Sequence, residues 1–437
     1  MQSNRDRVAK ALVGTSISSC SLVILTFATG VLVARALGPE ARGIYGGMLL
    51  VAQTLVTITG ISFADGAMVS LRQSEDRTRA LLKTTILTAC ALLVVTGLIL
   101  FGFGPKLAGY ANSQDTIFFI LFAGMFAITN TLSSAFSAYE RGNMQFRLTN
   151  VSRVVAPSLF FLSLVVLLQI SPDAISVDAV LLLYLLTKVP MLFTWAWRYR
   201  PLFSGDFNMG FAARSVGTGL RLHPALAISV VAASFDRLVA VSVWDEATLG
   251  IYFVAFSAVG AGYGVVVTAV RTVLFPFFSG LRGFDRENAI AKVLRLTTLI
   301  SLLAAIVGYF SVPYLIPVFY GDDFAQAAEI SRLLVIALSI TPLHAVVLEA
   351  GRSLGRGRAS TEMALAAIFC MILGYLVTGY REPHHAIISI AFSNSIAIIM
   401  GSIHLIKNRD MRLNGSLVPR SQDFVFLLKL VAGRLRS

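Results

Sequence analysis

The sequence predicts an all-α polytopic membrane protein of twelve transmembrane helices in two six-helix halves. Four observations predict it. Of 437 residues, 56% are hydrophobic and 14% charged, with a mean hydropathy of +0.77. Apolar runs of about 20 residues recur from end to end, each long enough to cross roughly 30 Å of hydrocarbon as a helix. Lys and Arg crowd every second connection between these runs, whereas the intervening connections hold only Arg35, Arg42, Lys106 and Arg381. Finally, Glu246-Ala247-Thr248-Leu249-Gly250-Ile251-Tyr252 echoes Glu40-Ala41-Arg42-Gly43-Ile44-Tyr45 with one residue inserted, about half a chain later. That offset suggests two related halves with a cavity between them.

The spans fall at about 12–34, 44–70, 84–104, 117–139, 148–170, 178–197, 222–244, 249–279, 293–320, 324–349, 362–380 and 385–406. The first apolar run continues to about Ala34 with no small-residue cleavage site, so it is read as a retained span. The basic connections place both termini on the cytoplasmic side. The connection at 198–221, with Pro201, Gly205 and Gly210, is the predicted linker between an N-terminal lobe (1–197) and a C-terminal lobe (222–406). Trp195, Trp197 and Tyr199 at its start are expected to anchor at the headgroup level. Residues 407–437 form a basic tail. After Asp423 it becomes FVFLLKLVAGRLRS, too short to span and expected to lie on the anionic inner leaflet. Pro157, Pro190, Pro224, Pro276, Pro313, Pro317 and Pro342 fall within spans and are expected to bend them.

The net charge of +13 does not make this a nucleic-acid binder, because the bases sit between apolar runs and no binding-module pattern is present. Cys20, Cys90 and Cys370 are too few and too separated for a disulfide framework or a zinc site. The five histidines have no metal-ligand spacing, and no GxxxxGK[ST] loop provides for an ATPase. No nucleophile elbow or paired acid stands on an outer loop. The chain is therefore read as a non-enzyme without metal or cofactor.

Ionisable residues inside spans are costly unless they face protein or water, which makes them site candidates. Arg237, roughly 10 Å below the outer end of the seventh span, is the first candidate for holding an anionic substrate. Arg153 in the fifth span and Lys188 beside Pro190 in the sixth follow. Arg271, Arg72 and Arg35 lie near span ends, where a long side chain can snorkel to the interface. The acids Asp236, Asp65, Glu140 and Glu349 are candidates for a coupling ion or a static charge pair. Adjacent residues on a helix diverge by about 100°, so Asp236 is expected to find its partner on another helix.

ARALGPEARGIYGGM at 34–48, YERGNMQFR at 139–147, FDR at 235–237 with TLGIYFVAFSAVGAG at 248–262, and LGRGRAS at 354–360 together resemble the bacterial polysaccharide transporter family. Its superfamily also holds the multidrug and toxin extrusion antiporters and the lipid II flippase. The resemblance, over about 1–410, implies two lobes arranged as a V with a pseudo-twofold around a central, cationic cavity. It implies translocation of a polyprenyl-diphosphate-linked oligosaccharide across the bacterial cytoplasmic (inner) membrane for O-antigen, capsule or exopolysaccharide assembly. Membrane lipids and the polymerase and chain-length proteins of the same pathway are the further partners it implies. A cation-coupled drug antiporter of the same superfamily is the alternative, with an integral-membrane polymerase or ligase disfavoured by the short outer loops.

Overall fold

The computed structural model describes residues 2–73, 80–280, 283–353 and 357–407, with side chains over 18–73, 81–203, 205–267, 278, 287–353 and 359–405. The expected surface-lying segment after Asp423 lies outside the described residues, as do the start of the 354–360 turn and the side chain of Arg271. Every regular element among the described residues is helical. The α-helices are α1 (Gln2–Thr59), α2 (Phe63–Gln73), α3 (Ala80–Tyr110), α4 (Thr116–Gly142), α5 (Arg147–Ile170), α6 (Val177–Leu186) and α7 (Val189–Tyr199). They continue as α8 (Met209–Val243), α9 (Glu246–Gly280), α10 (Gly283–Tyr320), α11 (Gln326–Leu338), α12 (Thr341–Ser353), α13 (Gly357–Thr378) and α14 (Pro383–Lys407).

Eleven helical segments among the described residues are long and apolar enough to cross a membrane. They account for all twelve expected spans, because the Ser18–Thr59 segment is bent at Gly38 and supplies two. Gly38 has φ 72 and ψ 176, a conformation open to glycine, and Pro39 restarts the helix with its φ already set.

Three spans are interrupted. The second is broken between α1 and α2 at Gly60–Ser62, where Ile61 (φ 42) and Ser62 (φ 51) take the left-handed region. The sixth breaks between α6 and α7, and the tenth between α11 and α12. In these last two a proline, Pro190 or Pro342, is the second residue of the new helix. A proline ring clashes with the carbonyl four residues back, so both prolines end a helix rather than bend one.

The chain divides into two compact units, Met1–Val254 and Ala255–Ser437. In the first, Phe119, Phe122 and Phe126 of α4 pack with Phe160 and Leu164 of α5 in one core cluster. A second cluster joins Leu71, Phe136, Trp195, Tyr199 and Phe211. Trp195 is only 2% exposed and stacks on Phe136 at 5.7 Å; Tyr199 is also buried. These two are core residues and not headgroup anchors, and only Trp197, 68% exposed, faces outward. Residues four apart share a helix face and the residue between them points away, so three aromatics at spacing two cannot all lie on one side.

In the second unit α13 lies against α14 through small residues, since a Cβ on Gly374 would fall 2.1 Å from Ser389 Oγ. Such close backbone approach is how membrane helices gain contact without a hydrophobic driving force. Tyr263 of α9 donates to the Val335 carbonyl of α11 at 3.1 Å.

Candidate functional site

The two echoing motifs meet within the first unit. A Cβ on Gly43 would lie 1.9 Å from the Glu246 carbonyl oxygen, and one on Gly250 would lie 1.9 Å from the Pro39 carbonyl oxygen. Each motif therefore presses its glycine against the backbone four residues before the other's glycine. Asp245 starts α9 by accepting from the Thr248 amide (2.9 Å) and hydroxyl (2.7 Å). These bonds, the amide's first, hold its carboxyl below the usual carboxylate range.

Around this crossing the buried charges collect. Arg42 is 8% exposed, with its guanidinium 5.2 Å from the Tyr45 ring and 6.0 Å from the Phe253 ring. Sequence reasoning left Arg42 on an outer connection; the available signal was its place inside the repeated motif. Asp236 is 1% exposed, and Tyr252 of α9 donates to its Oδ2 at 2.7 Å. A tyrosine on another helix is thus one partner, but the charged partner is the adjacent arginine, against expectation, because its long side chain folds back along α8 to the Ala233 carbonyl. Arg237 Nε lies 3.7 Å from Asp236 Oδ1, and its Nη2 donates to the Ala233 carbonyl at 2.5 Å.

Towards the other end of the same unit, α2 lies on α8. A Cβ on Gly66 would meet the Ser215 carbonyl oxygen at 2.2 Å, and one on Gly219 the Ile61 carbonyl oxygen at 2.8 Å. Ser62, in the break between α1 and α2, is 3.1 Å from His223 Nδ1.

A cavity of about 320 Å³ is lined by residues of α1 to α4 and α8. Gln53 and Thr57 of α1, Thr96 of α3, and Asn130, Thr131 and Ser134 of α4 give it a polar wall, with Val56, Leu92, Leu226 and Val230 between them. The residues from α1, α3, α4 and α8 recur at intervals of three or four, the spacing that places them on one face, whereas α2 contributes its first turn, Phe63 to Asp65. Asp65 is the one ionisable residue in this wall, and Arg141 Nη1 stands 3.9 Å from its Oδ1. Lys188, at the α6–α7 break, donates to Asn130 Oδ1 at 3.3 Å. Its ammonium sits 4.7 Å from the Phe126 ring centre and 4.4 Å from that of Tyr184, close enough for cation–π attraction.

Arg153, Arg35, Arg72, Glu140 and Glu349 do not line this cavity. Arg153 is half-buried on α5, while Arg35 and Arg72 are exposed; Arg72 Nη2 is 3.3 Å from Met144 Sδ. Glu140 is buried and accepts from the Thr149 amide (2.7 Å), the Thr149 hydroxyl (2.6 Å) and the Tyr199 hydroxyl (2.8 Å). It thereby satisfies one of the free N–H groups at the start of α5. In the second unit Glu349 is buried, 3.3 Å from Arg352 Nη1.

The fold is shared with solved polytopic membrane proteins. An inward-facing multidrug resistance MATE family transporter of the MOP superfamily is similar at 15% identity, covering 89% of this chain and 97% of its own, with a TM-score of 0.72. The lipid II flippase MurJ, in an inward closed conformation, is similar at 14% identity, covering 97% and 93%, with a TM-score of 0.76. A MATE transporter of Vibrio cholerae follows at 14% identity, 93% and 99% coverage and a TM-score of 0.60. These likenesses define a multi-pass membrane protein with the MOP-superfamily fold. Residues 32–329 match the polysaccharide biosynthesis protein family, and the chain belongs to it. No curated protein matches it.

Proposed function

We propose that this protein is a flippase that carries a polyprenyl-diphosphate-linked oligosaccharide from the inner to the outer leaflet of the bacterial cytoplasmic membrane, supplying O-antigen, capsule or exopolysaccharide assembly. The observation that carries the reading is a polar hollow among apolar helices in a member of the polysaccharide biosynthesis protein family. Moving one unpaired hydroxyl into a hydrocarbon-like medium costs about 4–8 kcal/mol, and a phosphate charge costs far more. A sugar head group therefore needs a hydrogen-bonding path while the prenyl tail stays in lipid.

In this reading lobes 1–197 and 222–406 alternate in access, with both termini cytoplasmic. Arg237, Arg153, Lys188, Arg271, Arg72 and Arg35 are the candidates for the diphosphate, which the planar arginine fork pairs bidentately. Asp65, Asp236, Glu140 and Glu349 remain the candidates for a coupling ion or a charge pair. The polymerase and chain-length proteins of the pathway would receive the product.

A second reading, a cation-coupled drug antiporter, is favoured by one observation: the cavity wall of the first unit carries a carboxylate and no base. Reconstitution of the full chain in vesicles with labelled lipid-linked oligosaccharide separates the two. The wild type is expected to move the lipid and Arg237→Ala to move it at least about tenfold more slowly, the loss of one charge-assisted hydrogen bond. A wild type that moves no such lipid but exchanges an organic cation for protons or sodium overturns the flippase reading.

A further inference from the structure

We infer that the cavity between α1, α2, α3, α4 and α8 is a sugar subsite, which takes a neutral hexose ring of the head group and excludes the diphosphate. This rests on the flippase reading and narrows it. Gln53, Thr131 and Ser134 line the cavity, and their side-chain polar groups make no hydrogen bond to other described residues; at Gln53 it is the backbone carbonyl that accepts from the Thr57 hydroxyl. An unsatisfied amide or hydroxyl within a membrane span is costly, so these groups stand ready for water or a polar ligand. Together with Asp65 they offer one amide, two hydroxyls and one carboxylate, donors and acceptors suited to a ring of vicinal hydroxyls.

The wall also says what does not fit. The lining presents a carboxylate, Asp65, and no Lys or Arg to receive a diphosphate, and the nearby Arg141 is engaged by that carboxylate. Lys188 and Arg141 are not lining residues; one donates to Asn130 and the other stands beside Asp65, so each bears on a lining group. A single ion would underfill the space. At about 30 Å³ per water, 320 Å³ holds on the order of ten waters, and ligand pockets begin near 300 Å³. The apolar Val56, Leu92 and Leu226 provide surface for the C–H face of a sugar ring.

The test uses the full chain in liposomes with Cys20→Ser, Cys90→Ser and Cys370→Ser, and Ser134→Cys as reporter. Its modification by a methanethiosulfonate reagent is timed with N-acetylglucosamine, galactose, glucuronate, inorganic pyrophosphate or sodium ions present in the millimolar range. One or both neutral sugars are expected to slow modification several-fold, and pyrophosphate, glucuronate and sodium are not. Adding Gln53→Met is expected to abolish the protection. Thr131→Cys serves as a second reporter should Ser134→Cys fold poorly. Protection by pyrophosphate or sodium alone, or by nothing, overturns the subsite. Protection by sugar with no flipping of any lipid-linked sugar keeps the subsite and removes the flippase reading; flipping without protection does the reverse.

Discussion

Gly43 and Gly250 stand in reciprocal contact: a Cβ on the first would lie 3.0 Å from the amide nitrogen of the second, and a Cβ on the second 2.9 Å from that of the first. Each belongs to one copy of a repeated Gly-Ile-Tyr. The same crossing holds Arg42 between Tyr45 and Phe253, and Tyr252 against Asp236.

Gly43→Ala and Gly250→Ala should each destabilise the fold, because the added methyl meets backbone and not a movable side chain. Overpacking of this kind costs about 1–3 kcal/mol. Gly97, whose Cβ would meet nothing within 4 Å, is the control, since Gly97→Ala should be neutral or slightly stabilising in a helix. Thermal unfolding in detergent compares the three, and equal melting temperatures for Gly43→Ala and Gly97→Ala would contradict the crossing.

Tyr252→Phe should lower stability by about 1–3 kcal/mol by leaving the Asp236 carboxylate buried without its tyrosine. Asp236→Asn in the same background should recover part of the loss, since a neutral group costs less to bury. A double-mutant cycle on unfolding measures the coupling, and additive losses would show that the pair does not act as one.

Glu140→Ala removes three hydrogen bonds to a buried carboxylate and should cost about 3 kcal/mol or more. Arg72→Ala, at an exposed side chain, should stay within about 0.5 kcal/mol. A Glu140→Ala variant that melts with the wild type would show that the α4–α5 turn does not depend on this carboxylate.

Asp245 gives a pH signature. Its folded pKa is depressed, so its contribution is fully present above the unfolded aspartate value of about 3.9 and is lost as pH falls through the lower folded value. Asn caps a helix about as well as Asp, so Asp245→Asn should melt below the wild type at neutral pH only by the value of a negative charge at an exposed helix N-terminus, at most about 1 kcal/mol. The gap should narrow in acid. A gap that widens on acidification would reverse the assignment.

The spans were legible in the sequence because membrane insertion is a nearly one-dimensional constraint: each apolar run must satisfy its own backbone, and only a helix does so in lipid. Breaks were less legible. Pro190 and Pro342 signalled two of them, but Ile61 and Ser62 carry no glycine or proline signal of their own for the left-handed turn they make. The convergence of Gly43 with Gly250 was hinted at by wording alone, and nothing local distinguished Trp195 and Tyr199, turned inward, from Trp197.

Length, hydropathy and the spacing of charge were thus sufficient for helix number and class, since those depend on the chain alone. Which side chains meet depended on tertiary packing. The bend at Gly38 and the break at Ile61–Ser62 reset the direction of every residue beyond them, so that Gln53, Asp65 and Ser134, far apart in the chain, come to line one hollow.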